Sequence, residues 1–200
     1  SSDLPNPRAT QSVSDPYFQG RRAWVVGGSQ GIGLALAEQL CQRGAQVTLC
    51  ARNQATLEAQ ARRLQAQHLA LDVADAQSTQ QALQGLIQQQ GPPDLVFNCA
   101  GLALPGYLLD LSVEDIVTMN QVNYLGTVHV CKAVLPAMVQ NGRGHIVNTS
   151  SLGGLMGLFG YTGYCGSKYA VVGFSEALRR EVAGQKVRVS VLCPPNTKTP

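Results

Sequence analysis

Ala23-Trp24-Val25-Val26-Gly27-Gly28-Ser29-Gln30-Gly31-Ile32-Gly33 joins an apolar run, a glycine-rich turn and the start of a helical pattern. Ala23–Val26 reads as a short buried strand. Ile32, Leu36 and Leu40 then recur at helical spacing, and Gly44 follows as a helix stop. Small residues between strand and helix let the backbone approach a pyrophosphate closely. The helix start adds N–H donors and the positive end of its dipole. Gly33 also lets the helix pack close to the strand. A glycine-rich turn alone is often only a loop. Set between the first strand and first helix of an alternating chain, it reads as a dinucleotide site. The candidate contacts there are Gly27, Ser29, Gln30, Gly31, Ile32 and Gly33.

The alternation continues. Further strands are expected at Gln46–Cys50, His68–Leu71, Leu95–Cys99, His145–Thr149 and Arg188–Cys193. Most are continuous apolar runs, as expected for strands covered on both faces. Helical patterns lie at Ile32–Arg43, Gln54–Gln67 and Gln77–Gln90. Ser112-Val113-Glu114-Asp115 resembles a capping box with Asp in the usual Glu place. It opens a helical region that runs, with room for a break, to about Asn141. Tyr161–Val182 is the last helix. This order predicts an α/β fold: a doubly wound parallel sheet, Rossmann-like, in three layers α/β/α. One domain is expected over residues 22–200, after a flexible N-terminal arm at residues 1–21.

With 200 residues, 44% of them hydrophobic, the chain can build one full core. Only 14% are charged, which fits a chain that buries much of its surface, in an oligomer included. The net charge of +3 is mild and no basic run stands out, so nucleic acid is not an expected partner. Cys41, Cys50, Cys99, Cys131, Cys165 and Cys193 form no Cys-x-x-Cys pair and read as buried, reduced thiols of a cytosolic protein. The three histidines are isolated, so no metal site is expected. No apolar run approaches about 18 residues, the least a spanning helix needs, and the first 20 residues lack a signal-peptide core.

The end of the second strand bears on which nucleotide is bound. Leu49-Cys50-Ala51-Arg52-Asn53 holds no carboxylate for ribose hydroxyls, but it holds a guanidinium suited to a 2′-phosphate. Arg52 and Asn53 therefore point to NADPH/NADP+ over NAD. Arg52 reads otherwise as an exposed strand-end residue or an adenine stack. Asp72, with Val73 beside it, is a candidate contact to the adenine amino group; Asp72 and Asp75 read equally well as turn and cap residues. Asn98-Cys99-Ala100-Gly101 follows the fourth strand, and its small residues leave room for a ribose. Asn98, Ala100 and Gly101 join the candidate set.

Tyr164 and Lys168 are four residues apart in the last helical pattern, on one face and one turn from each other. A phenol beside a fixed ammonium ionises more easily. It can protonate a carbonyl under reduction or take a proton from an alcohol under oxidation. The pair alone is usually a solvated surface pair.

In this order the motifs resemble the short-chain dehydrogenase/reductase family over about residues 22–200. Gly27-x-x-x-Gly31-x-Gly33 is similar to its cofactor turn, with Val26 where Thr is usual. Asn98-Cys99-Ala100-Gly101 is similar to its Asn-Asn-Ala-Gly motif, with Cys99 for the second Asn. Asn123, Ser151, Tyr164 and Lys168 match its catalytic tetrad, and Ser151, thirteen residues before Tyr164, is chosen over Ser150 on the family's spacing. The resemblance implies that Tyr164 donates the proton, Lys168 lowers its pKa and binds the nicotinamide ribose, and Ser151 bonds the substrate oxygen. It implies that Asn123 holds a water in a relay to Lys168. Bringing a phenol from about 10 towards 7 takes roughly 4 kcal/mol. Pro194-Pro195-Asn196-Thr197-Lys198-Thr199 is similar to the family's Pro-Gly-x-x-x-Thr segment, which makes Pro194, Thr197 and Thr199 candidate cofactor contacts.

Asn123-Tyr124-Leu125-Gly126, Gly157–Tyr164 and the Pro194-Pro195 segment look most like the 3-ketodihydrosphingosine reductase branch. That branch reduces the ketone of a long-chain sphingoid base, a lipid ketone. The resemblance implies a cytoplasmic location, or the cytosolic face of the endoplasmic reticulum with peripheral membrane contact. It also implies a homodimer or homotetramer built through the helices that start near Ser112 and Tyr161. The family's substrate lid and last strand are expected to be absent from these 200 residues. Leu152, Leu155, Met156, Leu158 and Phe159 line an alkyl tunnel or serve as core or interface residues. The alternatives are another short-chain reductase, of 3-oxoacyl-carrier-protein, steroid or sugar substrates, and an NADP-binding scaffold without catalysis.

Overall fold

The computed structural model describes residues 15–197. Six parallel strands make one sheet: β1 (Arg22–Val26), β2 (Gln46–Ala51), β3 (Gln67–Ala70), β4 (Leu95–Asn98), β5 (Gly144–Thr149) and β6 (Val187–Leu192). Their order in space is β3-β2-β1-β4-β5-β6. The helices are α1 (Gly31–Gln42), α2 (Gln54–Leu64), α3 (Ala76–Gln90), α4 (Val113–Asn120), α5 (Gly126–Asn141) and α6 (Thr162–Glu181).

Alternation along β1 explains the three layers. Ala23 and Val25 point into one core with Ala37 and Leu40 of α1 and Leu57 and Ala61 of α2. Trp24 and Val26 point into the other, with Leu83 and Leu86 of α3, Val130 and Val134 of α5, and Leu178 of α6. Chain direction across the sheet reverses between β1 and β4, because β2 and β3 lie on one side of β1 and the later strands on the other. Open α/β sheets leave a crevice at such a point, beyond the C-terminal strand ends.

Several boundaries depart from the sequence reading. Helix α2 stops at Leu64 because Gln65 turns left-handed at φ +53°, so Gln67 belongs to β3. Strand β3 is an edge strand and largely exposed, not covered on both faces. Ser112 and Asp115 do form the reciprocal capping box. The break in the following helix is a π turn at Gln121–Leu125. Within the continuous helical stretch Val113–Asn141, one 18-residue window reaches a mean hydropathy of 1.2, although polar residues interrupt it. Core packing by Met119, Val130, Cys131, Val134 and Met138 accounts for that apolar character. Of the expected arm, residues 1–14 lie outside the described residues. Its end is folded: Gly20 N–H donates to Gly44 O at 2.8 Å, and Phe18 packs on the α1–α2 side core.

Candidate active site

A cleft of about 1170 Å³ lies beyond the C-terminal ends of the strands and crosses the point where the order reverses. Its floor is the turn after β1. Gly27 takes φ +82°, and a Cβ there would stand 2.5 Å from the Ala100 nitrogen. A Cβ on Gly33 would overlap the Gly27 carbonyl. No side chain fits at either position, so backbone N–H groups at the start of α1 are exposed to the cleft. Gly27, Ser29, Gln30, Gly31, Ile32 and Gly33 all line it.

Arg52 and Asn53 line the far end, past β2. Arg52 is exposed and forms no ion pair among the described residues. Asn53 caps α2, its Oδ1 accepting from Thr56 N–H at 3.0 Å. Val73, Ala100, Gly101, Pro194 and Thr197 also line the cleft. Thr197 spends its hydroxyl on Pro195 O at 2.9 Å. Thr199 lies outside the described residues.

Two candidate cofactor contacts are not on the cleft wall. Asp72 caps its own turn, accepting from Ala74 N–H at 3.0 Å, while Asp75 caps α3. The turn-and-cap alternative describes both. Asn98 is turned away from the cleft, because its amide donates to Asn148 Oδ1 at 2.8 Å. Asn148 in turn donates to Ser175 at 2.8 Å, so this buried pair ties β4 to β5 and α6. Asn98 is a sheet brace by its side chain, while Gly101, three residues on, does approach the reaction end.

At that end Ser151, Tyr164 and Lys168 share the cleft wall. Ser151 follows β5 and its Oγ accepts from Gly153 N–H at 3.1 Å. Ser150 is buried and donates to Lys168 O at 2.9 Å. Tyr164 and Lys168 sit one turn apart on α6, with the Lys168 ammonium 5.7 Å from the Tyr164 ring centre. Lys168 is buried, and its Nζ donates to Thr149 O at 3.0 Å. Burial pulls its pKa down to about 8, while the nearby Cys99 and Cys193 thiols work against that fall.

Asn123 stands behind the wall, fully buried in the π turn. Its Nδ2 donates to Leu102 O at 2.8 Å and Ser167 Oγ at 2.9 Å, and its Oδ1 accepts from Leu102 N–H at 2.7 Å. A Cβ on Gly101 would be 3.4 Å from both Asn123 Oδ1 and Lys168 Nζ, so these two polar groups face the same glycine. Asn123 thereby pins the loop after β4 to α6. The expected apolar group divides: Leu152, Leu158 and Phe159 line the cleft, and Leu155 and Met156 are exposed beside it. None of the five belongs to the core.

Residues 21–200 match the short chain dehydrogenase family. The chain belongs to that family. Among curated short chain dehydrogenase relatives, 3-ketodihydrosphingosine reductase of Bos taurus is 38% identical over 192 residues. The match takes in 90% of this chain and 58% of the bovine protein. The chain therefore spans little more than half the length of that relative. Human 3-oxoacyl-[acyl-carrier-protein] reductase is 39% identical over 172 residues, 85% of this chain and 73% of that protein. A solved single-substitution variant of actinorhodin polyketide ketoreductase with NADPH superposes with a TM-score of 0.87 at 32% identity, covering 90% of this chain and 72% of that one. L-Sorbose reductase from Gluconobacter frateurii, complexed with NADPH and L-sorbose, gives 0.87 at 27% identity, over 91% and 72% of the two chains.

In this short chain dehydrogenase, two residues that support the reaction end went unremarked in the sequence. Thr149 acts through its carbonyl, which any residue type carries, so no signal existed. Ser167 directly precedes Lys168, and its hydroxyl links Tyr164 O at 2.7 Å to Asn123. A hydroxyl on the helix face that also carries Val171, Ser175 and Leu178 was the available signal.

Proposed function

We propose that this chain is the cofactor-binding and catalytic part of an NADPH-dependent carbonyl reductase whose substrate is 3-ketodihydrosphingosine. One observation carries the chemistry: Ser151, Tyr164 and a buried Lys168 converge at one end of a cleft whose floor is a glycine turn and whose far lip is Arg52. The residues fit a dinucleotide. Gly27, Gly31 and Gly33 leave backbone N–H groups for a pyrophosphate, and Arg52 offers a fork for a 2′-phosphate. When bound, NADPH supplies the hydride.

The protein's own part is acid catalysis and positioning. Tyr164 gives its phenolic proton to the substrate oxygen, and Ser151 donates a hydrogen bond to the same atom. The Lys168 cation stabilises the phenolate left behind. Asn123 holds the wall behind them through Leu102 and Ser167. The similarity to the bovine 3-ketodihydrosphingosine reductase supports the choice of substrate. A location in the cytoplasm or at the cytosolic face of the endoplasmic reticulum, and a homodimer or homotetramer through α4, α5 and α6, belong to the same reading.

A second reading has its own support. The human 3-oxoacyl-[acyl-carrier-protein] reductase shares slightly higher identity over a larger part of its length. Oxidation of NADPH by the full-length protein, followed with 3-ketodihydrosphingosine beside an acetoacetyl thioester, separates the two. Faster turnover of the sphingoid ketone supports the first reading; faster turnover of the thioester replaces it with the second. Nucleotide binding with no turnover of either removes both substrates and leaves a reductase of another ketone or an NADP-binding scaffold.

A further inference from the structure

The two connections that flank the reaction end are uncharged. Residues 101–109, after β4, and 151–161, after β5, contain no Asp, Glu, Lys or Arg. They are joined to each other: Gly106 N–H donates to Gly160 O at 2.8 Å, and Gly106 pairs with Tyr161 in a single parallel bridge. The Tyr107 and Phe159 rings meet edge to face with centroids 5.3 Å apart. Exposure grows outward along this shelf. Leu158 is half-buried, Leu152 is 39% exposed, Tyr107 56% and Phe159 87%. Single exposed apolar side chains are ordinary, but a contiguous group that runs out of a cleft marks a surface kept for a ligand.

Deepening the carbonyl-reductase reading on which it rests, we propose that this shelf takes the saturated alkyl chain of a long-chain ketone, with Tyr107 and Phe159 as specificity-determining residues. Continuity favours this occupant. Leu152 follows Ser151 directly, and Leu152, Leu158 and Phe159 line the same cleft as Tyr164. A chain leaving the carbonyl carbon along them meets hydrocarbon throughout. An acidic carrier protein is the poorer fit, because docking it calls for basic side chains and these loops hold none.

Each methylene moved wholly onto apolar surface is worth about 0.8 kcal/mol, close to fourfold in affinity. A half-covered shelf therefore predicts roughly twofold per methylene. The test is calorimetric binding of straight-chain methyl ketones, from hexanone to hexadecanone, to the full-length protein saturated with NADP+. The expected result is an affinity that climbs with chain length in the wild type. The climb is at least halved in the double variant Tyr107→Ser/Phe159→Ser, and regained in Tyr107→Leu/Phe159→Leu. Circular dichroism checks that each variant is folded. Both side chains are largely exposed, and the slope per methylene is not a quantity that a general loss of fold flattens selectively. The proposal is overturned by equal slopes in wild type and serine variant, or by no slope in the wild type. It is also overturned if phosphatidylcholine vesicles bind the wild type and not the serine variant while the slopes agree, since the shelf is then a bilayer contact. Ketones that bind with the expected slopes but are not reduced once NADPH replaces NADP+ support the shelf and sink the reductase reading alone.

Discussion

The Lys168 ammonium lies 5.7 Å from the centre of the Tyr164 ring, held by a 3.0 Å hydrogen bond to the carbonyl oxygen of Thr149. A side chain with four rotatable bonds is thereby reduced to one placement, with the strand end as its anchor. The cation is buried, so its field on the phenol is poorly screened.

Tyr164→Phe removes the proton and keeps the ring. Turnover is expected to fall by about 10²- to 10⁴-fold, the usual share of general acid catalysis. Fluorescence titration of NADPH should give an affinity within about threefold of wild type, because the ring and Lys168 remain. A variant that keeps more than about a tenth of the activity removes Tyr164 from the proton-donor role.

The two adjacent serines are expected to separate cleanly. Ser151→Ala should cut kcat/KM by about 10²-fold, the scale of one lost donor to a developing oxyanion, and lower the denaturation midpoint less than Ser150→Ala does, because its bond from Gly153 N–H is only partly buried. Ser150→Ala should cost about 1 kcal/mol of stability, the typical net worth of a buried hydrogen bond, through its lost contact with Lys168 O. Urea denaturation and steady-state kinetics on both variants decide it. The reverse pattern would exchange their roles.

Lys168 links stability to pH. Its pKa in the fold is about 8, against about 10.4 in an unfolded chain. Between those values the unfolded chain holds the extra proton, so stability rises with pH across the window and is lost as pH falls through about 8. Cys50 and Cys131, each raised to about 12 by burial, pull the other way in alkali. The comparison is therefore wild type against Lys168→Met, without nucleotide, where the thiol contributions cancel. The wild type should gain up to about 3 kcal/mol on the variant between pH 7 and pH 10.5. Chemical denaturation at a series of pH values measures it, and a constant gap refutes it.

Arg52→Ala tests the choice of nucleotide. The exposed guanidinium at the cleft lip has no ion pair among the described residues to lose. NADPH affinity should therefore drop about tenfold or more, as for a lost charge-assisted pair, while NADH affinity stays within about twofold. Equal losses for the two nucleotides would remove the phosphate contact.

Much of the candidate site was legible because its signals are local. Gly27 and Gly33 stand where a Cβ collides with backbone, a constraint written as residue type. Tyr164 and Lys168 share a helix face by spacing alone. Asn98 and Asp72 are less legible. Each has a polar side chain suited to a ligand, and each also has a partner within the protein that the sequence does not announce: Asn148 for one, the Ala74 N–H for the other. The loop at residues 102–109 showed no motif at all. Its part in the cleft mouth depends on Gly106 meeting Gly160, more than fifty residues away in sequence.

Periodicity and glycine placement determined the strand and helix order, and with it the parallel sheet, because hydrophobic spacing and backbone sterics act over a few residues. Folding decided which side chains remain free to meet a ligand. Asn123 reaches Ser167, Lys168 reaches Thr149, and Tyr107 reaches Phe159 only after the sheet has brought distant strand ends together. A polar group's partner is set by proximity in space, and residue type alone carries no record of it.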